Sequence, residues 1–227
     1  LFNEVAWVAE LSETDPRLTG IVAQAPLEQG ERVVDILTVY AKNPLVKGVR
    51  RLLQQESLDF CLQEEFLRGL GTLSEFDYSF DICIHHPQLA STIKMVEQCP
   101  GVRFILDHIA KPDIKAGLFD PWKSELKVLA GFPNVVCKIS GMTTEADHNN
   151  WTRDDLRPYI DHVVECFGFD RVVHGGDWFV SSLATTIPRW IETLDWAMSG
   201  CTENELRKFY VENGRAFYRL GANAGTP

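Results

Sequence analysis

Asp177 closes the run RVVHGGDWFV, residues 171 to 180, directly after Gly175 and Gly176. Glycines at a strand end leave open volume, and a carboxylate set beside that volume is costly to bury without a partner. Asp107 and His108 close a second apolar run, VRFILDHI, with Lys111 three residues further on. A carboxylate and an imidazole brought together can take and return a proton, or share a divalent cation. Arg50 and Arg51 end VKGVRRLL, and an arginine fork grips carboxylates through two parallel N–H donors. His85 and His86 follow YSFDICI directly or nearly so, and Lys138 and Ser140 end NVVCKIS.

These groups must be positioned by the runs they terminate. Six runs rich in β-branched and aliphatic residues start at 20, 46, 78, 102, 134 and 171. Segments of helical period separate them: Val33, Leu37 and Tyr40 share one stripe, as do Phe66, Leu70 and Leu73, and Leu89, Ile93 and Val96. Strand and helix alternating at roughly 30-residue spacing predict βαβ units and a parallel sheet. No Gly-rich phosphate turn follows an early strand, which disfavours a doubly wound sheet and favours a (β/α)8 TIM barrel. A barrel needs eight strands. The helical pattern already runs from Leu1 through Val5 and Val8, so the first two strands are expected to precede residue 1, in one N-terminally incomplete barrel domain over residues 1–227.

In parallel α/β folds the C-terminal strand edge is where active sites are built, and five of the six runs carry ionisable groups there. Alternation sets Val173, Gly175 and Asp177 on one face, Phe104, Leu106 and His108 on one face, and Asp81, Cys83 and His85 on one face. If those faces point inward, His85, His108 and Asp177 converge on the barrel mouth with Arg50 beside them. Each residue has a plainer reading. A lone strand-end histidine is more often structural, Asp177 can cap a turn, and Arg50 and Arg51 can be a solvated pair. Lys138 can be an interior ion-pair partner and Lys111 a loop cation. Trp178 and Phe179 suit site walls, and His148 and His162 suit structural roles. The coincidence at one edge favours chemistry. Local punctuation predicts a helix start at Asp120-Pro121, a capping box from Thr202 to Glu205, a C-cap at Gly168, and a late or broken helix around Pro158.

Composition narrows the partners. A net charge of −10 disfavours nucleic acid and anionic membrane, both of which require a basic face. No apolar run reaches the ~18 residues of a membrane span. The six cysteines form no C-x-x-C pair, which points to reduced thiols and a cytoplasmic setting.

The strings FILDHIAKPDI, PWKSELKVLAGFPNVVCKISGMTTEAD and DLRPYIDHVVECFGFDRVVHGGDW, with KGVRRLLQ, FDICIHHPQL and ENGRAFYRL, cover nearly the whole chain. Together they resemble the amidohydrolase-related family of sugar-lactone and pyrone-dicarboxylate hydrolases, nearest to its fuconolactonase-like and rhamnonolactonase-like enzymes. The resemblance implies a TIM barrel that opens a small lactone with a water activated by Asp177. It implies His108 as the second catalytic residue, and Arg50, His85 and Lys111 as substrate-binding residues. It also implies one divalent metal, Zn or Mn, or a metal-free site; the ligands are not assigned. The family's H-x-H strand is absent from these residues, and Gly176 stands where the family usually has Ser. The expected partner is a small-molecule lactone, with a homo-oligomer left open. Two alternatives remain: a metal-dependent decarboxylase on the same barrel, and a non-catalytic binding barrel.

Overall fold

The computed structural model describes residues 2–221. Leu1 lies outside them; the helix it was expected to begin runs from Phe2 to Thr14 (α1), with Val5 buried. Six strands follow: β1 (Ile21–Gln24), β2 (Val46–Leu52), β3 (Ser79–Cys83), β4 (Arg103–Leu106), β5 (Val135–Ile139) and β6 (Val172–His174). Between and after them lie α2 (Val34–Tyr40), α3 (Glu64–Gly71), α4 (Leu89–Gln98), α5 (Trp122–Ala130), α6 (Arg153–Phe167), α7 (Ile187–Ala197), α8 (Glu203–Arg207) and α9 (Asn213–Tyr218).

Every strand pairs in parallel with its neighbour in sequence, in the order β1 to β6. A doubly wound sheet reverses its strand order part-way, whereas this one winds in a single direction, as a barrel does. Among the described residues β1 and β6 each have one strand neighbour. Helix α9 and the residue after it reach across from β6: Asn213 Nδ2, at the start of α9, donates to the carbonyls of Phe169 and Val172, and Arg219, just past its end, donates to the Lys47 carbonyl.

Register shows which face is which. Arg50, Asp81, Ile105 and Val136 are aligned across β2 to β5, and Lys138 is aligned with Val173. Phe80 and Phe104, on the opposite parity, meet edge to face at 6.3 Å, and Phe80 meets Phe66 of α3 at 6.1 Å. That second parity is therefore the helix-facing side. Lys138 donates to both Asp81 and Asp107 on the other side, which is the barrel interior.

This overturns one expectation. The Phe104, Leu106, His108 parity faces the helices, and the inward position at the end of β4 belongs to Asp107. Two local expectations also change. Pro121 is the N-cap of α5 and Trp122 its first residue, one position later than the Asp-Pro signal suggested. Helix α6 runs unbroken through Pro158. Its start is fixed by Thr152 and Asp155, whose side chains cap each other's backbone. The buried stripe of Leu156, Tyr159, Ile160, Val163 and Phe167 then outweighs one lost backbone bond.

Candidate active site

Four elements build the site. Strand β4 stops at Leu106 and the chain then turns left-handed: His108, Ile109, Ala110 and Lys111 have φ of 53°, 50°, 63° and 48°. Each L-residue held there costs about 1–2 kcal/mol, and a β-branched residue such as Ile109 is a true outlier. The turn carries His108 from the helix-facing parity into the barrel mouth. Strand β6 stops at His174, and Asp177 arrives through two glycines with its own φ at 49°. The result is a direct meeting: His108 Nε2 lies 3.5 Å from Asp177 Oδ1, with both side chains nearly buried.

The other atoms of this pair are equally defined. His108 Nδ1 sits 2.8 Å from Ser140 Oγ, and Asp177 Oδ2 is buried with no partner. Gly141, at φ 61°, closes the gap between them. A Cβ there would fall 2.8 Å from the His108 ring and 2.9 Å from Asp177 Oδ2. Only a glycine leaves room for both.

Beneath lies an ion network on the barrel interior. Lys138 Nζ donates to Asp107 Oδ1 at 2.6 Å and to Asp81 Oδ2 at 3.0 Å, and Tyr218 Oη donates to Asp81 Oδ2 at 2.6 Å. Arg50 Nη1 reaches Asp107 Oδ2 at 3.4 Å, with the rest of its half-exposed guanidinium open to the cavity. Burial acts to neutralise Lys138, but Asp107 and Asp81 hold it well above the usual lysine range. Asp107 is likewise opposed by burial, yet Lys138 carries it below the usual carboxylate range. Asp81 stays above that range because burial outweighs Lys138.

These charges set the protonation state of the His108–Asp177 pair. Burial pushes the His108 imidazole down to about 4 against the opposing pull of Asp107, and Lys138, Lys111 and Arg50 add to the depression. It is neutral at physiological pH. Burial raises Asp177, with Lys111 the foremost opposing influence. A carboxylate raised toward neutrality is a stronger base than a solvated one.

A cavity of about 610 Å³ opens over this floor, lined among others by Arg50, His108, Ser140, Asp177, Trp178 and Tyr218. Of the residues expected from sequence, Asp177, His108 and Arg50 line it together. His85 does not: its Nε2 faces Gln54 Nε2 at 3.3 Å, and its ring caps the short turn before α4. Lys111 is also outside the lining, paired with Glu145 Oε1 at 3.4 Å, although its charge still acts on Asp177. Arg51 is held by Glu28 and Glu56 away from the interior. Asp107, Ser140 and Lys138 stand at the strand ends without an expected catalytic or binding role, Lys138 is the interior ion-pair partner that one reading gives it, and Gly141 was not anticipated. Their signal was present in the strand-end strings LDH and CKISG.

The donor set is consistent with a divalent metal. Ligand atoms of Cys83, Asp107 and His108 lie within 4.8 Å of one another, and Asp177 Oδ1 lies 3.5 Å from His108 Nε2. Within that group Asp107 already accepts from Lys138, and Cys83 donates its thiol proton to Gln54 Oε1 at 3.3 Å. Burial pushes its thiol up to about 12, and a divalent cation opposes that shift.

Comparison with known proteins agrees with this architecture. An L-fucono-1,5-lactonase of Burkholderia ambifaria is 27% identical over 229 residues, covering 98% of this chain and 78% of that protein. An L-fucono-1,5-lactonase of Burkholderia multivorans is 30% identical over 212 residues, covering 84% and 70%. The crystal structure of a Burkholderia multivorans amidohydrolase with bound zinc superposes with a TM-score of 0.92 at 24% identity, covering 97% of this chain and 80% of that one. The sequence profile of the family described as amidohydrolase matches residues 2–220, so the chain belongs to the amidohydrolase family.

Proposed function

We propose that this protein is a hydrolase that opens the ester bond of a small sugar-acid lactone. The observation that carries the reading is the Asp177–His108 pair at the floor of a cavity that Arg50 also lines. The names of the two lactonase relatives supply the substrate class, with L-fucono-1,5-lactone the first compound to test.

In this reading a water in the cavity sits against the Asp177 carboxylate. Asp177 accepts its proton as the oxygen attacks the lactone carbonyl, and the new C–O bond forms while the carbonyl oxygen takes up negative charge. The ring C–O bond then breaks. The departing alkoxide recovers the proton from Asp177, which returns the carboxylate and releases an open hydroxy acid. His108, kept neutral, has one ring nitrogen committed to Ser140 and presents the other to Asp177 and the carbonyl. The Ser140 hydroxyl can donate or accept, so it supports either tautomer. Arg50 offers its remaining N–H groups to sugar hydroxyls or to the carboxylate of the product. Lys111 holds Asp177 ionised through its charge, and His85 belongs to the rim of the site rather than to its chemistry. The product is an anion formed beside Asp177, and their repulsion favours release.

A zinc or manganese ion held by His108 with Cys83 and Asp107, beside Asp177, would polarise the carbonyl and acidify the attacking water. Dialysis against a chelator with elemental analysis, followed by activity assay and metal return, tests that part. The hydrolytic assignment is tested with a panel of sugar-acid lactones, followed by proton release in weak buffer. Wild-type protein is expected to turn over at least one of them, and Asp177→Asn to lose at least ~10²-fold in kcat. An unchanged rate in Asp177→Asn removes Asp177 from the role of base.

A further inference from the structure

We propose that Trp122 is a positioning residue for this hydrolysis: its indole N–H, 2.7 Å from the Ile109 carbonyl, holds the left-handed turn that carries His108 and Lys111 to Asp177. The inference rests on the hydrolytic reading of the cavity.

The turn needs an outside support. Internally it is closed by the bond from the Lys111 N–H to the His108 carbonyl, 2.8 Å, and its four residues all occupy a backbone region that L-residues avoid. Such conformations persist only where the surroundings over-determine them. The surroundings here are the sealed side chains of Ile109 and Ala110, the Ser140 contact to the imidazole, and Trp122. Of these, the Trp122 bond acts on the middle of the turn. It satisfies a buried carbonyl, and a buried carbonyl without a donor is a strong reason for the backbone to move.

Trp122 is built to stay in place. It is fully buried as the first residue of α5, with its ring centroid 5.7 Å from Phe119, 5.2 Å from Tyr159 and 5.5 Å from His162. It does not line the cavity, so any effect on turnover must pass through the turn. At one end of the turn His108 faces Asp177, and at the other Lys111 is braced by Glu145. Loosening the middle therefore displaces both groups at once.

The test is Trp122→Phe, which removes the N–H and keeps an aromatic ring in the cluster. Per folded molecule, kcat is expected to fall roughly 10- to 100-fold with KM within about 3-fold of wild type, because substrate binding through Arg50 is untouched. Deuterium exchange of the Lys111 amide should accelerate at least ~10-fold while the Val49 amide of β2 keeps its wild-type rate. Adding Ala110→Gly to Trp122→Phe should recover at least ~5-fold in kcat, since glycine adopts this φ without strain. A Trp122 that serves stability alone would lower the melting temperature and leave kcat per folded molecule and the Lys111 amide as in wild type; that result overturns the proposal. If wild-type protein hydrolyses no lactone, faster Lys111 exchange in Trp122→Phe still upholds the clamp, and the functional reading falls by itself.

Discussion

Gly141→Ala puts the geometry of the reacting pair under direct strain. The added methyl would lie 2.8 Å from His108 Cγ and Nδ1 and 2.9 Å from Asp177 Oδ2. Carbon contacts are favourable near 3.5–4.0 Å, so His108 or the backbone must give by about 0.7 Å or more. The imidazole is held on its other side by Ser140 Oγ at 2.8 Å, and Asp177 is set by its left-handed backbone, so neither group can retreat freely. A misplacement approaching 1 Å costs on the order of 10²-fold in rate, equivalent to about 2.7 kcal/mol of barrier. The φ of 61° adds a backbone cost of about 1–2 kcal/mol to stability, separate from the clash. Gly117→Ala is the control, because Gly117 has φ 65° but open space around its Cβ direction. Lactone hydrolysis and thermal melting of both variants separate the two effects. Gly117→Ala is expected to keep wild-type kcat/KM, and Gly141→Ala to lose about 10²-fold. A Gly141→Ala enzyme within about 3-fold of the Gly117→Ala control would refute the placement of the reacting centre between His108 and Asp177.

Three more outcomes follow from the electrostatics. The unfolded chain protonates His108 near pH 6.5 and the folded protein resists until about 4, so its contribution is complete above 6.5 and is lost as pH falls through that window. The loss amounts to on the order of 3 kcal/mol, and His108→Gln should flatten that limb of the stability–pH curve in urea titrations. Asp177 has the opposite sign. Burial raises it, so its charged form opposes folding at neutral pH, and Asp177→Asn should melt higher than wild type at pH 7 while losing activity. Lys138→Met leaves Asp81 and Asp107 buried without their shared cation and should cost about 3–5 kcal/mol in denaturant titrations at pH 7. An unchanged midpoint would mean that both carboxylates are already protonated.

The strand-end strings make the barrel and its polar edge legible in the sequence. Six apolar runs of βαβ spacing became six parallel strands, because hydrophobic periodicity is a local property of the chain. Of the polar groups at one end of those runs, Arg50, Asp107, His108, Lys138, Ser140 and Asp177 met in one cavity, and His85, Lys111 and Arg51 did not. The route for His108 was different from the one that strand parity suggested. Parity faces it toward the helices, and only the left-handed turn after Leu106 brings it inside. No propensity scale foresees four L-residues in that region.

What the sequence by itself determined was the class of fold, the edge that carries the chemistry and the identity of the carboxylate, imidazole and guanidinium that gather there. Tertiary structure alone decided which aspartate faces inward, that Lys138 lies between Asp81 and Asp107, that Gly141 leaves room for His108 and Asp177 to meet, and that His85 stands aside with Gln54. Each of these depends on groups tens of residues apart closing to within a few ångströms. The energies that fix them, desolvation and short-range Coulomb attraction, exist only once the barrel has excluded water.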